Sequence, residues 1–236
     1  MRTWVKWLIG GAVVALIAVV ALPWAYINFI QEDAPPPLEL SDEPTTTTAA
    51  GGSSATTVAG EPADIAGTWN VASGSTVGYR ADEVLFGQDN TAAGRTNDVT
   101  GSMTLTASTV TAAEFTADMT TVESDDDRRD GQFRGNIMST DEFPTATFKL
   151  TEPIDFGKEP ADGQKVTASA TGDLTLRGVT NSVTFDVEAR KTGNVIEVSG
   201  SIPISFSDFE IPEASRPGIE VKDNGEMEFL LTFNPA

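Results

Sequence analysis

Through most of the chain, apolar and polar residues alternate one by one. Trp69 and Val71 open the pattern, and Val77 and Tyr79 follow. Met103 and Leu105 flank Thr104, and Ala113, Phe115, Ala117 and Met119 are set against Glu114, Thr116 and Asp118. Ala146, Phe148 and Leu150 form another set. The longest run is Val166, Ala168, Ala170, Gly172, Leu174 and Leu176, interleaved with Thr167, Ser169, Thr171, Asp173 and Thr175. Ile196 to Phe206 and Met227 to Phe233 repeat the pattern. Side chains of a strand point alternately to its two faces, so a period of two predicts strands with one apolar and one polar face. About eight strands over residues 65–236 predict one antiparallel sheet, solvated on one side and closed into a barrel or folded into a sandwich. Between Leu176 and Val183, Gly178 sits where the chain must reverse, a position that suits a residue free to take positive φ.

One stretch breaks the alternation. Ser124 to Met138 reads as a short helix of about three turns at most, weakened by Gly131 and Gly135. Ser124 fits an N-cap, Asp127 completes a capping box, and Asp125–Arg129 and Asp130–Arg134 are spaced as helical ion pairs. Phe133 and Ile137 share a face that can pack on the sheet or close a barrel end.

The N-terminal quarter has a different character. Residues 1–6 carry Arg2 and Lys6, and residues 7–30 carry no charge. As a helix, that run reaches about 36 Å, enough to span a bilayer core. Trp4, Trp7, Trp24 and Tyr26 lie near its ends, and Glu32 and Asp33 follow. The charge bias predicts a single transmembrane signal-anchor helix with its N-terminus in the cytoplasm and the rest outside. Val19-Val20-Ala21 is a passable cleavage site, which would make the protein secreted, but the apolar run continues past it. Residues 31–64, rich in Pro, Thr, Gly and Ser, lack apolar periodicity and read as a disordered linker holding the domain off the membrane.

Net charge is −20, which excludes the basic footprint of a nucleic-acid binder. There is no Cys and no His, so disulfides, thiol chemistry and the usual zinc sites are excluded. Asp125-Asp126-Asp127 lacks the alternating ligands and closing Glu of a calcium loop. No nucleophile-elbow motif occurs, and no spacing singles out a carboxylate pair. The expectation is a binding protein with no catalytic residue, metal or cofactor. A non-binding structural or stress-related surface domain, and a carboxylate-dependent hydrolase, are the competing readings.

Five segments occur in a recognisable order: Arg129-Asp130; Phe133-Arg134; Asp141 to Phe148; Gly172 to Thr180; and Phe206 to Ile211. Together they resemble the YceI-like family of secreted, lipid-binding, lipocalin-like β-barrels, over nearly all of residues 65–236. The resemblance implies an eight-stranded antiparallel barrel with one short helix, and an apolar lumen holding an isoprenoid chain (a polyprenol, polyprenyl phosphate or quinone). The His residues common in that family are absent. Residues 88–98 read as a polar, Gly-containing loop where many members have a shorter connection.

Within that frame the lumen candidates are Phe115, Met119, Phe148, Ala170, Phe185, Ile202, Phe229 and Leu231. Ala113, Ala117, Ala168, Gly172 and Gly200 are too small to fill an eight-stranded interior, so the lumen is expected to stay open. Arg129 and Arg134 are candidates for contacting a headgroup or for joining helix to barrel. Expected partners are an isoprenoid-type lipid and the membrane, through residues 7–30. Whether two barrels pair as a homodimer is left open.

Overall fold

The computed structural model describes residues 34–41 and 65–236. The expected span at residues 7–30 and most of the linker lie outside the described residues. Among the described residues, no helix is long and apolar enough to cross a membrane.

The strands are β1 (Gly67–Val71), β2 (Thr76–Leu85), β3 (Gln88–Thr96), β4 (Val99–Leu105), β5 (Thr109–Asp118), β6 (Thr145–Leu150), β7 (Ile154–Asp155), β8 (Lys165–Leu176), β9 (Val179–Thr192), β10 (Val195–Ser205) and β11 (Ile219–Pro235). All pairings between named strands are antiparallel. β1 and β2 are successive halves of one strand, as are β3 and β4. Leaving aside the two-residue β7, eight strands ring the lumen in the order β1/β2, β3/β4, β5, β6, β8, β9, β10, β11. β11 closes the ring by pairing with both halves of the first strand, Phe233 opposite Val71 and Phe229 opposite Val77. The alternating pattern therefore ends in a barrel rather than a sandwich, and closure leaves no edge in the ring.

Three local expectations are corrected. Residues 88–98 are not a loop, because Gln88–Thr96 pairs with β2 along its whole length. Phe86 and Gly87 both take positive φ, the geometry of a two-residue hairpin turn, and Ala92, Ala93 and Thr96 become buried by packing that the polar local sequence does not announce. The helix starts later than expected: α1 (Asp127–Gln132) runs into a single wide turn over Phe133–Ile137, within the expected three turns. Its N-cap is Asp126, whose carboxylate accepts from the Arg128 N–H at 2.8 Å, not Ser124. Ser124 instead donates through its N–H and hydroxyl to the buried Asp130 carboxylate, at 2.9 and 2.6 Å, which turns Asp130 to Ser124 rather than to Arg134. The Asp125–Arg129 pair is present.

The third correction concerns the linker. Residues 34–41 lie across the outer face of the barrel as a strap. The carbonyls of Pro35 and Pro36 accept from Arg80 and Arg95, and the Leu38 N–H donates to Glu228 at 3.1 Å. Further on, Lys165 donates to the Leu40 carbonyl and Arg190 to the Ser41 carbonyl at 2.8 Å. Leu40 is only 5 % exposed. Beneath the strap, Arg95 bridges to Glu228 at 2.8 Å and Arg190 to Glu197 at 2.7 Å. These ion pairs on the outward positions of four strands give a backbone without regular structure the partners it needs.

Candidate binding lumen

The inward face of the barrel carries the apolar set. Phe148, Phe185 and Phe229 form a chain of edge-on rings across it, with centroids 5.4 and 5.9 Å apart. Phe115 leans on Phe233 at 5.6 Å. The glycines work differently from the sequence expectation. A Cβ at Gly172 would come within 2.4 Å of the Phe148 ring, and one at Gly200 within 2.6 Å of the Phe229 ring. Rings from neighbouring strands lie over these glycines, so the missing side chains are replaced by aromatic carbon and not by empty space. The alanines do border space: Ala113, Ala117, Ala168 and Ala170 line the lumen cavity.

Two cavities adjoin. The first, about 180 Å³, lies inside the barrel and extends to the end opposite the helix; seven of the lumen candidates line it, namely Phe115, Phe148, Ala170, Phe185, Ile202, Phe229 and Leu231. The second, about 620 Å³, lies at the helix end and is lined by Met119, the eighth candidate, with Tyr79, Ala81, Phe133 and Ile204. Val77 and Met227 border both. The larger volume is in the usual range for small-ligand sites, about 300–1,000 Å³.

The conspicuous motifs converge at the helix end. Arg177 and Gly178 form the β8–β9 turn, both at positive φ. A side chain at Gly178 would strike the Phe143 ring, and the Arg177 guanidinium lies over that same ring at 5.7 Å while donating to the Glu210 carbonyl at 2.7 Å. Phe133 stacks on Tyr79 with centroids 5.0 Å apart and planes 8° from parallel, which seats α1 against β2. These residues shape the end of the barrel.

The two candidate arginines separate. Arg134 donates to the Val122 carbonyl at 3.2 Å, in the segment that joins β5 to α1, and does not line either cavity. Arg129 lines the larger cavity but is held by Asp125 and by Glu83, the latter 3.6 Å away. Burial works against its charge, yet the two carboxylates outweigh burial and raise its pKa. Burial likewise pushes the Tyr79 phenol well above its ordinary value. At the cap, the side-chain hydrogen bond from Arg128 is the largest influence holding the Asp126 carboxyl below its ordinary value. Among the described residues, no cluster of three or more acidic groups is arranged to hold a metal.

Two inward polar residues escaped the sequence reading. Glu83 continues the inward positions of β2 into the larger cavity, buried, and accepts from Asn90 at 2.6 Å. Lys191 continues the inward positions of β9 after Phe185, Val187 and Ala189, and lines the smaller cavity. Extending the alternation from Tyr79 past Ala81, and from Val187 past Ala189, would have found each.

The YceI-like domain model matches residues 69–233, the span that forms this barrel. The chain belongs to the YceI-like family. It is 31 % identical over 148 residues to a UPF0312 protein of Pseudomonas paraeruginosa, covering 59 % of this chain and 71 % of that one. A UPF0312 protein of Vibrio parahaemolyticus is 32 % identical over 102 residues, covering 40 % of this chain; the match spans 50 % of that relative's length. Among solved structures, the fold is similar to a polyisoprenoid binding domain from Saccharophagus degradans, with a TM-score of 0.55 and 16 % identity, covering 71 % of this chain and 98 % of that one. BcnA of Burkholderia cenocepacia has a TM-score of 0.53 and 22 % identity, covering 69 % and 98 %.

Proposed function

We propose that this protein holds an isoprenoid-type lipid in its barrel, outside the cytoplasm, on a membrane anchor formed by residues 7–30. The observation that carries the reading is the apolar lumen, where a cavity of about 180 Å³ adjoins one of about 620 Å³ across Val77 and Met227. An apolar chain passing between them gains about 0.8 kcal/mol per buried methylene without any polar contact. The polyisoprenoid-binding neighbour from Saccharophagus supports an isoprenoid as the chain. At the helix end, Arg129 is already neutralised by Asp125 and Glu83, so a phosphate finds no free counter-charge there. With the strap docked, only residues 31–33 separate the proposed span from it, which supports a domain held beside the membrane rather than at the end of a long spacer.

The test is to purify the full chain from detergent-solubilised membranes, extract it with organic solvent and identify bound lipid by mass spectrometry. Stoichiometric isoprenoid is the expected result. A barrel that is empty on isolation and also refuses added polyprenols and quinones overturns the reading.

A further inference from the structure

Lys191 is the one cation whose side chain follows the inward alternation of β9 into the lumen. It pairs across β10 with Ile196, which is itself opposite Phe233, and both of those side chains belong to the apolar core. The residue is only 5 % exposed. Among the described residues its ammonium has no hydrogen-bonding or ion-pair partner; the carboxylates nearby are turned elsewhere. Glu197 pairs with Arg190 on the outer face, and Asp162 accepts from the Gly193 N–H. Ile65, Phe156, Pro160 and Ile196 line the same cavity, as do Arg190 and Glu228, each engaged in an ion pair of its own. The side chain is buried while its ammonium keeps a path to solvent at the barrel mouth, so an anion arriving on an apolar chain meets an unpaired cation there.

We infer that the end of the lumen opposite the helix is a binding site for the anionic terminus of an amphiphile, with Lys191 as its counter-charge. The ligand class is a long apolar chain ending in a carboxylate or a phosphate. The inference rests on the lumen holding lipid and assigns a polar end that Arg129 and Arg134, both already engaged, do not supply. The chain then extends from Lys191 past Ala170 and Phe229 toward the larger cavity.

The experiment measures dissociation constants of the full chain in detergent for two matched pairs, palmitate with cetyl alcohol and farnesyl phosphate with farnesol. The parent protein is expected to favour each anion over its alcohol by about ten- to a hundredfold, the scale of a charge-assisted hydrogen bond. Lys191→Met keeps the apolar stem and should erase that preference; Lys191→Arg should restore it. A preference in one pair only identifies the head as carboxylate or phosphate. Equal binding of anion and alcohol by the parent, or a preference that survives Lys191→Met, overturns the site and leaves the lumen reading intact. Failure of all four ligands to bind overturns both.

Discussion

Replacing Ala170 by Phe tests whether the smaller cavity is occupied by ligand. Ala170 sits on β8 opposite Phe185, and its methyl group borders the cavity of about 180 Å³. An apolar cavity of about 150 Å³ holds a benzene, so this one accepts a piece of chain of about six carbons. At about 0.8 kcal/mol each, those groups contribute about 5 kcal/mol, or between three and four decades in dissociation constant. A phenylalanine ring at position 170 takes that space. Polyprenols long enough to fill both cavities should therefore bind more weakly by about a thousandfold or more, whereas one short enough to stay in the larger cavity should bind unchanged. Titration of a polyprenol series of increasing length, with thermal melting as a folding control, reads this directly. Equal loss at every length, or no loss at any length in a folded variant, would refute the account.

Three further outcomes follow from the packing. Gly172→Ala places a Cβ within 2.4 Å of Phe148 and 2.5 Å of the Lys149 carbonyl, and should destabilise the barrel by about 1–3 kcal/mol in denaturant unfolding; an unchanged midpoint would contradict the ring-over-glycine packing. Arg134→Ala removes the hydrogen bond to the Val122 carbonyl and should cost about 1 kcal/mol in the same assay while lipid affinity stays constant, since the side chain borders neither cavity. The Asp126 carboxyl titrates below its ordinary value of 3.8 in the folded state, so its stabilisation is complete above that pH and is lost as pH falls through the lowered folded value. Asp126→Asn should flatten that part of the acid-unfolding curve, and an identical curve for parent and variant would remove Asp126 from the account.

How far the site was legible follows from which interactions are local. The eight lumen candidates came from alternation read within the family resemblance, and every one borders a cavity, because a strand in a closed sheet has no freedom to rotate an apolar face outward. Arg129 and Arg134 stood out as charges on a helix, but the tasks they perform depend on Glu83 and Val122, which belong to other segments. β3 was missed because its strand character comes from pairing with β2 and not from its own polar sequence.

By itself the sequence determined the strand periodicity, the turn at Gly178 and the apolar inward positions of the alternating strands, because each depends on neighbours along the chain, and the order of its motifs determined the family. Tertiary structure decided barrel over sandwich, since closure requires Phe233 of the last strand to meet Val71 of the first. It decided that rings fill the space left by Gly172 and Gly200, because Phe148 and Phe229 come from adjacent strands. It also turned part of an apparent linker into a strap, because the partners of the Pro35, Pro36 and Ser41 carbonyls are arginines that only the folded sheet aligns.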